Sequence, residues 1–371
     1  YITHTTTYHY VPQVNTAQHM AHLLPRSDAA QTVQHAELHI TPTPAATSTH
    51  VDVFGNNRTF FSLPVVHDTL SITAKSTVDT HFIAYPPEQA MTTPAWENVR
   101  EHFVYHSGAA WDAATEYVFA SPYVQPHPDF AEYARASFVP ARPVLAAACD
   151  LMTRIHQEFT YEAASTDINT PALEALKNRK GVCQDFAHIL IGCLRTQGLA
   201  ARYVSGYLVT EVPEGQTRLI GSDASHAWVS VYVPDVLDDA AETAKTGALA
   251  THGQWFDLDP TNNRWGLSSP GIDYVTLAIG RDYADVSPVR GVIHGGASHT
   301  LEVAVTVQPA SELAAASVQT PSSKRTFLMM LPRSMFRLFA SFSGDTPRFI
   351  ARLIIKCSWT VDSRLTLLLY V

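Results

Sequence analysis

Three short segments carry side chains that together permit thiol chemistry. They are Gly181-Val182-Cys183-Gln184-Asp185-Phe186-Ala187-His188, Ser225-His226-Ala227-Trp228, and Trp255-Phe256-Asp257-Leu258-Asp259-Pro260-Thr261-Asn262. A free cysteine, with a pKa of roughly 8.5, is mostly protonated at neutral pH, so a cysteine nucleophile needs assistance. Cys183 falls at the first turn of an expected helix, where the positive end of the macrodipole favours a thiolate. An imidazole that can hold the proton adds to this, and an acid on its far nitrogen fixes the tautomer. A lone cysteine at a helix start is more often a small packing residue. The company of His226 and Asp259 is what makes Cys183 a candidate nucleophile.

The elements that must position these groups follow from periodicity. Cys183 to Gln197 reads as a helix ending at Gly198, and strands are expected over Ala201 to Val209, His226 to Val233, Trp255 to Asp259 and Leu301 to Val307. Along the second of these strands His226, Trp228, Ser230 and Tyr232 share a face; along the third, Trp255, Asp257 and Asp259 do. In an antiparallel pair the start of one strand lies beside the end of the next, so His226 and Asp259 are expected to be cross-strand neighbours. This requires the Ala/Asp-rich segment from Asp235 to Ala250 to loop out, either over the site or on the surface. Asp257 is the nearest competitor for the acid role.

Upstream, Val144 to Glu158 reads as a helix, and Thr170-Pro171 opens another with Pro at its first position. The first 85 residues read as short strands: His35 to Ile40, Thr59 to Leu63 after a hairpin turn at Phe54-Gly55-Asn56-Asn57, and Ser71 to Val78. The resulting expectation is an α+β chain: a β-rich domain over 1–85, a Pro-rich connector with short helices over 86–143, a catalytic domain over 144–307 and a basic extension over 308–371.

The order Cys, His, Asp with these flanks resembles the transglutaminase-like superfamily, specifically its bacterial two-domain branch, over roughly residues 4 to 307. The likeness also rests on Thr7-Tyr8-His9-Tyr10, His22-Leu23-Leu24-Pro25-Arg26 and Asp52-Val53-Phe54-Gly55-Asn56 in the first domain. In the second it includes Ala201-Arg202-Tyr203-Val204-Ser205-Gly206-Tyr207, the Asp259-Pro260-Thr261-Asn262 run and Gly280-Arg281-Asp282-Tyr283-Ala284-Asp285-Val286. The resemblance implies a papain-like core in which a helix-borne cysteine meets a histidine and an aspartate on an antiparallel sheet. Carried over residue by residue, it makes Cys183 the nucleophile, His226 the base and Asp259 the orienting acid, the last preferred over Asp257 because it heads the Asp-Pro-Thr-Asn motif. It implies an oxyanion hole using the Cys183 backbone N–H and a second donor that the sequence does not place. The implied reaction is acyl transfer at peptide or glutamine-type amide carbonyls through a thioester. Water as acceptor makes a cysteine peptidase or amidase, the favoured reading; an amine makes a cross-linking transglutaminase. A scaffold or binding module that merely retains the fold is the alternative from outside the enzymes.

Composition bounds the remaining possibilities. With 46% hydrophobic and 16% charged residues the 371-residue chain has a globular profile. Its net charge is −9, yet Pro321 to Val371 carries +6, leaving −15 on the preceding body, which argues against a nucleic-acid partner. Cys149, Cys183, Cys193 and Cys357 stand at wide, irregular spacings, so a reducing, cytoplasmic setting is expected. No signal peptide or transmembrane helix is expected. Cys149 and Cys193 are expected to pack, as are Trp228 and Trp255, with His188 structural. The spacings His35/His39 and His102/His106 invite a metal reading, but neither pair has a third ligand and Phe103 stands where HExxH needs Glu. No metal and no cofactor is expected, and the calcium dependence of animal transglutaminases is not carried over. The partner expected is a peptide or protein substrate, with oligomeric state left open. In the basic tail Pro332 and Pro347 interrupt any long helix, so a disordered or aberrant extension is preferred to membrane contact.

Overall fold

The computed structural model describes residues 1–107, 111–162, 170–209, 225–235, 253–296 and 298–312. Two antiparallel sheets, a short parallel pair of β6 (Thr160–Tyr161) with β7 (Lys180–Gly181), and a set of helices make up the described residues. The first sheet is organised around one long strand, β1 (Ile2–Leu24). Its neighbours on one side are β5 (His67–Thr80) and β4 (Asn57–Leu63), with β2 (Gln31–Thr41) and β3 (Ala46–Val51) outside them. On its other side lie β13 (Val289–Gly295) and β14 (Ser298–Val307), pairing Val14 with Gly295 and Ile2 with Val307. The strand over Leu301 to Val307 was expected in the catalytic domain; it instead returns to the N-terminal sheet. Apolar residues such as Val305 and Val307 are buried against Ile2, Tyr207, Val275 and Leu277, so this strand closes a core shared by both sheets.

The second sheet runs β11 (Arg264–Leu267), β10 (Gln254–Asp259), β9 (Ser225–Val233), β8 (Ala201–Leu208) and β12 (Tyr274–Gly280). One face, with Tyr203, Val229, Val231, Phe256 and Leu258, packs against α3 (Val144–Glu158) and α5 (Cys183–Thr196) in the largest core. Both helices form because apolar residues recur every three to four positions and α5 stops at Gly198, whose φ of +79° suits glycine. The stretch expected to be a connector belongs to this core as well: α1 (Trp96–His102) and α2 (Pro128–Ala134) contribute Trp96, Val99, Phe130 and Tyr133. Two of its prolines, like Pro171 beyond it, stand at helix starts. Pro128 opens α2, Pro143 caps α3 and Pro171 caps α4 (Ala172–Asn178), one position earlier than expected for the last.

Two buried side-chain amides fasten the N-terminal segment to the edge strand β12. Asn56 Nδ2 donates to the Ile279 carbonyl at 2.7 Å while its Oδ1 accepts the Ile279 N–H at 2.8 Å. Gln31 does the same at Thr276, with 2.7 Å for each bond. Each amide thus stands in for the strand that an edge lacks. Replacing Asn56 by Ala leaves a buried N–H and C=O unpaired, and a loss of about 2–4 kcal/mol in urea unfolding is expected. An unchanged midpoint would show that this junction carries little stability.

Of the expected insertion from Asp235 to Ala250, all but Asp235 lies outside the described residues, as do residues 313–371 of the basic extension and Cys357. Among the described residues no helix is long and apolar enough to cross a membrane.

Candidate active site

Cys183 is the first residue of α5, and the chain leading into it is held on both sides. Lys180 and Gly181 pair in parallel with Thr160 and Tyr161. One turn on, the Asp185 carboxylate folds back to accept the Val182 N–H at 2.8 Å. Gly181 makes that fold possible: a Cβ there would sit 2.7 Å from both Cβ and Oδ2 of Asp185. The Cys183 N–H lies in the first turn, where backbone donors have no intrahelical acceptor.

His226 comes from the start of β9 and Asp259 from the end of β10. In the register Leu258 faces Val229 and Asp257 faces Ser230, so His226 and Asp259 are diagonal neighbours on one face and not direct partners. The diagonal suffices: His226 Nε2 donates to Asp259 Oδ2 at 2.7 Å. The Cys183 side chain acts on the same imidazole and raises its pKa. Burial alone would push the imidazolium pKa down. The hydrogen bonds to Asp259 and Cys183, with the carboxylate charge, outweigh it and raise the value to about 10. Asp259 is fully buried, and that burial is in turn outweighed by its partners, which hold its carboxyl below the usual range.

Those partners include groups with no role in the sequence reading. The Tyr274 hydroxyl and Asn262 Nδ2 each donate to Asp259 Oδ2 at 2.7 Å, and the Thr261 N–H donates to Oδ1 at 2.8 Å. Thr261 and Asn262 belong to the motif headed by Asp259, so a local Asx-type turn was legible there. Tyr274 lies on β12, beyond β9 and β8 in the sheet, and nothing in its spacing signals this contact.

Asp257, the competitor, turns to other partners. Its Oδ2 accepts the Trp228 indole N–H at 2.7 Å and its Oδ1 the Ser230 hydroxyl at 2.5 Å. Burial lifts its pKa to about 6 against the pull of Arg202 and these two donors. Trp228 is fully buried, stands edge-on to Tyr274 with centroids 5.3 Å apart, and lies 6.0 Å from the His226 ring. Its ring occupies the space above Gly206, where any Cβ would come within 2.5 Å of it and 2.2 Å of the Val275 carbonyl. Trp228 therefore packs the floor beside the imidazole.

The other singled-out residues sit apart from this group. His188 is buried, its Nε2 accepts the Tyr283 N–H at 3.2 Å, and burial drives its pKa down to about 4. Cys193 is fully buried and Cys149 partly so; desolvation pushes both thiols up, Cys149 to about 12. Trp255 packs against Tyr232 and Tyr117. His35 and His39 flank Glu37, while His102 bonds to Asp112 at 2.9 Å.

A cysteine at a helix N-terminus, joined through an imidazole to a carboxylate on an antiparallel sheet, defines a transglutaminase-like core. Residues 131–260 match the transglutaminase-like superfamily, and residues 1–79 match the bacterial transglutaminase-like N-terminal region. The chain belongs to this superfamily. It is 39% identical over 315 residues to an uncharacterized protein of Mycobacterium tuberculosis, covering 83% of this chain and 92% of that one. An uncharacterized Mycobacterium leprae protein is 27% identical over 312 residues, covering 82% and 97%. The crystal structure of a candidate cysteine protease from Cytophaga hutchinsonii shares the fold, with a TM-score of 0.58, 20% identity, and coverage of 83% of this chain and 91% of that one.

Proposed function

We propose that the protein is a thiol-dependent peptidase or amidase in which Cys183 is the nucleophile, His226 the proton carrier and Asp259 the group that orients it. The observation that carries this reading is the 2.7 Å His226–Asp259 hydrogen bond, with Cys183 at the start of α5 close enough to raise the imidazole's pKa. In acylation the Cys183 thiolate, its proton already held on His226, forms a bond from sulfur to the substrate carbonyl carbon. The Cys183 N–H, at the helix start, can donate to the developing oxyanion. Collapse breaks the C–N bond, His226 gives its proton to the leaving amine, and a thioester remains. Water then attacks, loses a proton to His226, and the acid leaves as the thiol is restored. Asp259, fixed by Tyr274, Asn262 and Thr261, keeps the imidazole aimed throughout.

The fold shared with the candidate protease from Cytophaga hutchinsonii agrees with water as acceptor, and the acceptor is what separates hydrolysis from amine transfer. Incubation with a mixed protein substrate and a labelled primary amine tests this. New peptide termini without label, absent in Cys183→Ala, are expected. Label incorporated into protein would assign a transglutaminase instead. A Cys183→Ala protein with full biological activity would assign a scaffold.

A further inference from the structure

The sheet face that carries His226 continues to a second site. Gly206 pairs with His226 and Arg202 with Ser230, so Arg202 lies four residues, or roughly 13 Å, further along β8. There a cavity of about 410 Å³ opens between the sheet and the N-terminal segment, lined by Arg26, Asp28, Arg202, Trp255, Asp257 and Thr276 among others. Junctions of this kind and volume are common ligand sites. Neither Cys183 nor His226 lines it.

Arg202 is the anomaly. Its guanidinium lies over the Trp255 ring, Cζ 4.0 Å from the centroid, and its Nε is buried with no hydrogen-bond partner. Among the described residues, none of its side-chain N–H groups has a protein hydrogen bond or ion pair. Burial weighs against its charge, and Asp257 is the strongest opposing influence. A guanidinium with a buried, unpartnered Nε is costly, and a carboxylate is the group that satisfies its fork.

The charges around it select the rest of the ligand. Two arginines, Arg26 and Arg202, and two aspartates, Asp28 and Asp257, line the cavity. A simple anion would unbalance this set, and a simple cation would leave Arg202 unpaired. A dipolar ligand does neither. Asp28 Oδ1 is already taken by the Ala30 and Gln31 N–H groups at 2.9 and 3.1 Å, which leaves Oδ2 for an ammonium. Ile83, Leu267 and Ile279 add an apolar wall. We propose that this cavity binds a free α-amino acid with an apolar side chain, its carboxylate on Arg202 and its ammonium on Asp28. The inference does not depend on the reaction assigned to Cys183.

The test is calorimetry and thermal melting of the full chain carrying Cys183→Ala, which removes turnover, against each proteinogenic L-amino acid at millimolar concentration. Apolar amino acids are expected to bind, and their methyl esters and N-acetyl forms to bind about tenfold or more weakly. Arg202→Gln should lose binding by a similar factor. Asp28→Asn, at an exposed position, should weaken the amino acid but not its N-acetyl form. Failure of every amino acid to bind, or undiminished binding in either variant, would overturn the proposal.

Discussion

His226→Ala is expected to lower the acyl-transfer rate by about 10²–10⁴-fold, the range for removing a positioned proton carrier. In the proposed reaction the imidazolium gives its proton to the leaving amine and takes one back from the attacking water, so both halves of the reaction lose their partner at once. The same residue sets the pH range. Its folded pKa is raised from 6.5 to about 10 by the contacts with Asp259 and Cys183, so the imidazolium persists below that value and is lost above it. Activity in the intact protein should therefore fall as pH rises through about 10 and show no alkaline fall near 6.5. A pH–rate profile with its alkaline limb near 6.5 would mean that His226 does not carry the proton.

Asp259→Asn should have a comparable effect by another route. The carboxylate accepts from His226, Tyr274, Asn262 and the Thr261 N–H within a site closed to solvent. An amide of the same shape turns one acceptor into a donor facing other donors. A rate loss of about 10²–10⁴-fold is expected from the misaligned imidazole, as for triads elsewhere. A stability loss of about 2–4 kcal/mol accompanies it, because the remaining donors stay buried and unpaired. The alkaline limb should also move down from about 10 toward 6.5, since the contact that raises the imidazolium pKa is gone. Melting and pH–rate measurements on one preparation separate the two effects. A stable variant with an unmoved alkaline limb would pass the orienting role to another acid, and Asp257 is the next on that face.

How much of this was legible depended on what each element buries. Helices α3 and α5 announced themselves because their buried faces are apolar at helical spacing. The strand β1 did not: its inward positions include His4, Thr6, His19 and His22, so the period of two is present in burial but not in hydrophobicity. The strand β12 is buried at every position and shows no alternation either. The same limit governed the site. Cys183, His226 and Asp259 were readable because motif and strand order place them. Tyr274 was not, because its bond to Asp259 spans several strands of a folded sheet. The choice between Asp257 and Asp259, open on alternation alone, turns on a diagonal contact that only the register between β9 and β10 determines.

The rate of Cys183 alkylation by iodoacetamide against pH, in the intact protein and in His226→Ala, tests the central claim most directly. Cys193 is fully buried, and carrying Cys149→Ala and Cys357→Ala in both proteins leaves Cys183 as the reporting thiol. A thiol paired with the imidazole should react rapidly from mildly acidic pH, on a plateau that His226→Ala abolishes. Two superimposable profiles, each rising only as an ordinary free thiol does, would contradict the account.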